Sequence, residues 1–238
     1  MSVKGGIKMA IELKENISRS LGTYSIPDAA LYIYATTPDK DKFPLNTRHL
    51  YRWTKDGLAG GYLEGIHNQH MYINFRDLIS LRVIAAMRAQ GIRHREIIIA
   101  ERELQKAFGW DYPFAMADFW VAKPDILMKI RGVFLSVSRH LQYAFDLINE
   151  YVKPVHGLTF DNVGLSTTWA PYEDVLFNPQ VQYGSPCITG TRVPTEVMWS
   201  FHDAGDSIET IAFAYGLQCN QIEHAIEWEN LLKQISTN

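Results

Sequence analysis

The stretch YGSPCITGTRVPTEVM, Tyr183 to Met198, places two glycines, two prolines and an arginine directly ahead of an amphipathic helix. A Gly-rich turn before a helix is one way to cradle a phosphate, but that loop needs a Lys followed by Ser or Thr at the helix start. Here GTRVPT offers an Arg and then Val193 and Pro194. The composition therefore reads as turn chemistry: Gly184 and Gly190 permit tight turns around a short strand, and Pro194 suits the first turn of the next helix. Beyond it three short helices are expected, with apolar positions at Val197, Met198 and Phe201, then Ile208, Ile211, Ala212 and Tyr215, then Ile222, Ala225 and Ile226. Gly205 and Gly216 end the first two. Helices this short must pack on one another to persist.

Upstream, residues 1–23 are weakly patterned and read as a flexible arm. Ser25 opens a helix with Pro27 and Asp28 in its first turn. A loop with two prolines follows, and Asn46 then caps a short helix, TRHLYRWTKD, that Gly57 ends. LAGGYLEGIHNQHMYINF has the Gly turns and apolar ends of a two-stranded hairpin. Asn74 opens a further helix with Ile79, Val83, Ala86 and Met87 on one stripe, and another is expected from Arg95 to Phe108. In the middle, strands are expected at 119–122, 126–130 and 133–136, then a helix with Leu141, Ala144, Phe145, Ile148 and Val152 on its core face, ended at Pro154. GLSTTWAPYED reads as a linker. The expected fold class is mainly α with small β elements (α+β), divided into 24–110, a connector over 111–170 and a final unit over 171–238.

Charge is unevenly distributed along the chain. Lys40–Lys106 holds 12 Lys and Arg against 7 Asp and Glu, whereas Gly157–Asn238 holds 2 against 10. A polyanion is attracted to the first and repelled by the second. The order helix, turn, helix, hairpin, helix over residues 24–90 is that of a winged helix-turn-helix. Within it Leu50 and Trp53 face the core, which turns Arg48, His49, Arg52 and Lys55 toward the open side, where a groove-reading helix needs cations and hydrogen-bond donors. Thr47, Tyr51 and Arg76 complete this candidate DNA-facing set, and His67, Asn68 and His70 stand at the tip of the hairpin. Two histidines there do not make a metal site, because no Cys or carboxylate completes the set.

TRHLYRWTKDGL with YINFRDL resembles the DNA-binding region of the MerR-like regulators, although Tyr51 stands where that family usually has Arg and Arg52 follows one position later. The final stretch, from NPQVQYG to IEWE, resembles the small bacterial domain known as unknown-function family 433 through Gly184, Pro186, Ile188, Gly190, Thr191, Arg192, Val193 and Pro194. The pattern continues through Gly205, Ser207, Ile208, Glu209, Ile211, Tyr215, Gly216 and Leu217. Arg192 is expected to anchor this fold by bonding local carbonyls. The combination is similar to VapB-type antitoxins, which implies binding to operator double-stranded DNA, direct neutralisation of a PIN-type ribonuclease toxin and repression of the protein's own operon. A homodimer fits a palindromic operator. The alternative is a MerR-like effector-responsive regulator without a toxin, which requires a long dimerising helix where strands are expected at 118–138. A third possibility is an adaptor that binds no DNA.

The carboxylates of a PIN-type site call for a cation, and Lys129 and Arg131 on the expected middle hairpin are the candidates. No catalytic or cofactor set emerges. Glu223 and Glu227 lie one turn apart on a short helix, and His140, His156, His202 and His224 lack a patterned Cys, Ser or carboxylate neighbour. Two cysteines, Cys187 and Cys219, are too few for a disulfide framework. The start of the sequence lacks the apolar run of a secretory signal, so a cytoplasmic protein is expected.

Overall fold

The computed structural model describes residues 22–37, 40–60, 63–64, 71–120, 124–138 and 157–237. It is mainly helical with small antiparallel sheets. The first half opens with β1 (Tyr24–Ser25) and α1 (Ile26–Thr36), where the Ser25 side chain accepts the Asp28 N–H at 3.2 Å. In α2 (Thr47–Lys55) the Asn46 side chain accepts from the His49 N–H, and His49 Nδ1 accepts from the Asn46 N–H. Strands β2 (Leu63–Glu64) and β3 (Met71–Ile73) form the expected antiparallel pair, and β1 adds a third strand in the order β1-β3-β2. Asn74 and Asp77 cap α3 (Phe75–Ala89) reciprocally, and α4 (His94–Phe108) stops at Gly109, whose φ is 71°.

The middle differs from the sequence expectation. Residues expected as strands at 119–122, 126–130 and 133–136 are helical where described, in α5 (Ala117–Trp120) and α6 (Pro124–Val137). Ile130 and Phe134 are buried at helical spacing, and Pro124 stands at the first position of α6, where its missing N–H costs nothing. Gly132, between two of the expected strands, sits on the exposed face of α6 with open space around it. The expected helix ending at Pro154 lies outside the described residues.

The expected linker is also structured. β4 (Leu158–Phe160), β5 (Ser166–Tyr172), β6 (Val175–Phe177) and β7 (Pro186–Ile188) form an antiparallel sheet in chain order. Threonine hydroxyls lace β4 to β5, with Thr159 Oγ1 at 2.8 Å from Thr167 Oγ1 and 2.7 Å from Thr168 Oγ1. The last unit comprises α7 (Thr195–Asp203), α8 (Ile208–Tyr215) and α9 (Cys219–Thr237). At 19 residues, α9 is longer than the short helix expected. It therefore serves two cores: Ile222, Ala225 and Ile226 pack under α7 and α8, while Trp228 and Leu232 enter the larger core with Ile33, Leu50, Trp53 and Phe177.

One contact joins the two ends of that larger core. Gln182, Tyr183 and Gly184 have φ of 47°, 56° and 93°, a turn that aims the Gly184 carbonyl at Tyr24, whose hydroxyl donates to it at 3.0 Å. The Thr23 N–H donates to the Tyr183 carbonyl at 2.8 Å. A Cβ on residue 184 would lie 2.4 Å from Tyr24 Oη and 2.8 Å from its Cζ. Gly184→Ala is expected to destabilise the chain by at least about 2 kcal/mol in a urea melt, since it meets both a disfavoured φ and a filled space.

A buried acid sets a pH dependence. Glu101 is 4% exposed and accepts the Ala59 N–H at 3.1 Å, in a turn where Ala59 has φ of 55°. Burial pushes its carboxyl up to about 7. The folded state then binds the proton more tightly than the unfolded chain, so stability is full below the ordinary Glu range and falls as pH rises through about 7. Glu101→Gln, which keeps the acceptor, is expected to flatten this decline and to exceed wild-type stability at pH 8 by on the order of 2 kcal/mol in urea melts.

Candidate nucleic-acid interface

The geometry of α2 follows from its burial pattern. Leu50, Trp53 and Thr54 are buried, which leaves Arg48, Arg52 and Lys55 exposed along one row at i, i+4 and i+7. None of these three cations has an ion-pair partner among the described residues. Thr47, His49 and Tyr51 are half-buried, with Tyr51 packed against the core. Phe43, in the preceding loop, stacks on Trp53 at 6.1 Å between ring centroids and lies 4.8 Å from His49. On the other side His94 stacks on Trp53 and bonds Asp56 at 2.8 Å.

Sequence reasoning missed Arg88. It leaves the last turn of α3, donates to the Ile92 carbonyl and lies over the Phe43 ring at 4.8 Å. Burial, and then the Arg52 charge, lower its pKa. Burial, then Arg88 and Arg52, lower that of His49, which favours the neutral imidazole. Cations from α2 and α3 thus converge on one face. No spacing signal could have found this, because Arg88 reaches Phe43 and feels the Arg52 charge only through the fold.

Other expected site residues lie elsewhere. Arg76 is 3.9 Å from Asp161 and 6.0 Å from the Tyr112 ring centroid, so it is engaged within the chain. His67, Asn68 and His70 lie outside the described residues. Lys129 is exposed and Arg131 half-buried on α6. They were expected at the end of a hairpin, but on this helix positions two apart point to different faces.

The motif residues are structural. Thr191 donates to the Ile188 carbonyl at 2.8 Å and accepts the Val193 N–H at 3.0 Å, with Gly190 at φ of 79°, so the loop folds back into β7. Thr195 Oγ1 lies between the Pro186 carbonyl, at 3.3 Å, and the carboxyl of buried Glu229, which it hydrogen-bonds. Pro194 precedes α7 as its N-cap, Gly205 follows that helix with φ of 104°, and Gly216 caps α8 at φ of 65°. Arg192 departs from expectation: its side chain is exposed, and its backbone carbonyl accepts from Gln182 Nε2 at 3.0 Å. Burial pushes the Cys187 thiol up to about 11, so it stays protonated, while Cys219 is exposed and free.

A second polar cluster was not expected. The β5–β6 turn brings Asp174 Oδ2 to 2.8 Å from His224 Nδ1 and Glu173 to 3.8 Å from Nε2, beside Tyr172, whose hydroxyl donates to Glu227 at 2.7 Å. Among the described residues no group of three or more His, Cys, Asp or Glu is arranged to hold a metal. The Asp174 bond raises the His224 pKa, so this clamp is strongest below the ordinary His range and is lost as pH rises through the raised value. His224→Gln is therefore expected to cost more thermal stability at pH 6 than at pH 8, a difference that paired melting curves measure.

Comparison with known proteins adds two findings. Residues 175–228 match the family described as Protein of unknown function (DUF433), so a domain of that family lies within the chain. The crystal structure of RV2018 from Mycobacterium tuberculosis is similar, with a TM-score of 0.64 at 18% identity over 83% of this chain and 97% of that one, a likeness of fold. No curated protein matches the sequence. Among the described residues no helix is long and apolar enough to cross a membrane.

Proposed function

We propose that the chain is a DNA-binding antitoxin of a type II toxin–antitoxin pair, acting as a homodimer that represses its own operon and silences a PIN-type ribonuclease by direct contact. The observation that carries the DNA half is the row Arg48, Arg52 and Lys55 on α2, unpaired among the described residues and backed by the buried Leu50 and Trp53. It stands within the order α1, α2, hairpin, α3 of a winged helix-turn-helix. In this reading β2 and β3 form the wing, and the chain between them carries His67, Asn68 and His70 in sequence. The toxin half rests on the resemblance to VapB-type antitoxins. On α6, Lys129 stands with exposed Met128 and Leu135, a surface for a partner with both apolar and acidic groups.

A MerR-like effector-responsive regulator is the second reading, and one feature favours it. A groove of about 740 Å³ lies between α1, the loop before α2 and the end of α9, lined by Leu31, Tyr34, Leu45, Asn46, Leu231 and Ile235. It touches the N-cap of α2, where a small ligand could bias DNA binding. Against this reading, α4 ends at Gly109 and does not run on as a long dimerising helix.

Two measurements test the leading reading on the whole chain. Arg52→Ala is expected to weaken binding to DNA from upstream of the protein's own reading frame by about 1 to 3 kcal/mol if it reads a base, or to lower the salt slope by about one unit if it holds a phosphate. Unchanged affinity and slope in a gel shift, with the fold intact by circular dichroism, would remove it from the interface. Lys129→Glu combined with Met128→Asp is expected to abolish co-purification with the product of the neighbouring gene. Full retention of that product would move the partner surface off α6.

A further inference from the structure

Among the described residues of this face, Arg88 is a cation held by the fold with donors to spare. Its guanidinium lies over the Phe43 ring at 4.8 Å from the centroid, and one of its nitrogens donates to the Ile92 carbonyl. A guanidinium has five N–H donors, so the remainder are available to an anion. The same Phe43 ring abuts His49, whose Nδ1 is occupied as an acceptor at 3.3 Å from the Asn46 N–H, which leaves the ring hydrogen on Nε2. Arg52 is the charged group that bears on Arg88, and no carboxylate pairs with either arginine among the described residues. Two like charges brought together with no acid between them have a use for a bound anion.

Resting on the reading of α2 as a DNA-facing helix, we infer that Arg88, with His49 and Arg52, clamps one backbone phosphate of the duplex and thereby fixes the depth and register of α2. A half-buried arginine fastened to an aromatic ring lacks the reach of a base reader, which must project from the helix into the groove. Its contribution is therefore independent of sequence. Phosphate contacts of this kind position a reading helix without specifying bases.

The test uses the full chain with two labelled duplexes, one from upstream of its own reading frame and one of mixed sequence. In Arg88→Gln the slope of log K against log salt is expected to fall by about one unit on both duplexes, with their affinity ratio unchanged, while Arg88→Lys keeps the wild-type slope. An unchanged slope in Arg88→Gln, with wild-type chain bound, overturns the clamp while leaving the α2 reading in place. Failure of the wild-type chain to bind either duplex overturns the interface itself. Inorganic phosphate at constant ionic strength separates the sources: displacement of DNA at millimolar phosphate would make this a free-anion site and overturn the assignment to duplex. Should Arg88→Gln not fold, arginine-directed modification of the wild-type chain decides the matter, because the duplex is expected to protect Arg88, and equal modification with and without DNA overturns the clamp.

Discussion

The phenol of Tyr24 seated against the Gly184 backbone is the contact on which the rest of the packing depends. It joins residues 160 positions apart, and burial raises the phenol pKa well above its ordinary value, which keeps the hydroxyl a neutral donor. With Tyr24 in place, Tyr32 on the following helix α1 meets it edge-on at 6.4 Å, meets Phe177 at 4.9 Å and stacks on Trp228 at 6.3 Å. One face of α1 is thereby filled by β6 and α9, while α1 shares its core with Leu50 and Trp53 of α2. The orientation of the proposed reading helix is inherited from packing against the domain that matches the unknown-function family.

A half-buried cation reinforces the same junction. Arg82 on α3 donates to the Thr36 carbonyl at 3.0 Å and to its hydroxyl at 3.2 Å, and its guanidinium lies 5.4 Å from the Trp169 ring centroid. The last carbonyls of a helix lack intrahelical partners, so a cation at the end of α1 satisfies one of them and meets the negative end of the helix dipole. Burial lowers the Arg82 pKa to about 10, which still leaves it protonated at neutral pH. One side chain thus ties α1, α3 and β5 together, and no hydrophobic residue of the same size could do so without leaving the Thr36 carbonyl unpaired.

The parts of this fold that could be read from sequence were those set by neighbours in the chain. Ser25, Asn46 and Asn74 cap their helices as their side chains predict, because an N-cap bond spans only three residues. The turns at Gly184 and Gly190 were equally local. Residues 117–137 were misread because two short helices interrupted by a proline imitate the alternation and turn signals of strands. The strand β5 was taken for a linker because its partners lie on both sides, and its pairing is a property of the sheet. For the site, the α2 row was legible from helical spacing, whereas Arg88 and the His224 cluster depend on contacts 45 to 55 positions long, for which one sequence carries no signal.

The uneven charge acquires a direction once the halves are packed together. The acidic segment includes α9, which shares a core with α1, so its negative field originates close to the basic face rather than on a distant tethered unit. At physiological salt the Debye length is about 8 Å, which screens distant charges but leaves adjoining surfaces coupled. A polyanion approaching from the side of α7 and α8 meets Glu196, Asp203, Asp206 and Glu209, while one approaching α2 meets Arg48, Arg52, Lys55 and Arg88. Opposite fields on different faces of one molecule would favour one orientation of a duplex over its reverse before any base is contacted. In the proposed function the acidic domain would act on α2 indirectly: Trp228 of α9 stacks on Tyr32 of α1, and α1 shares its core with Leu50 and Trp53 of α2.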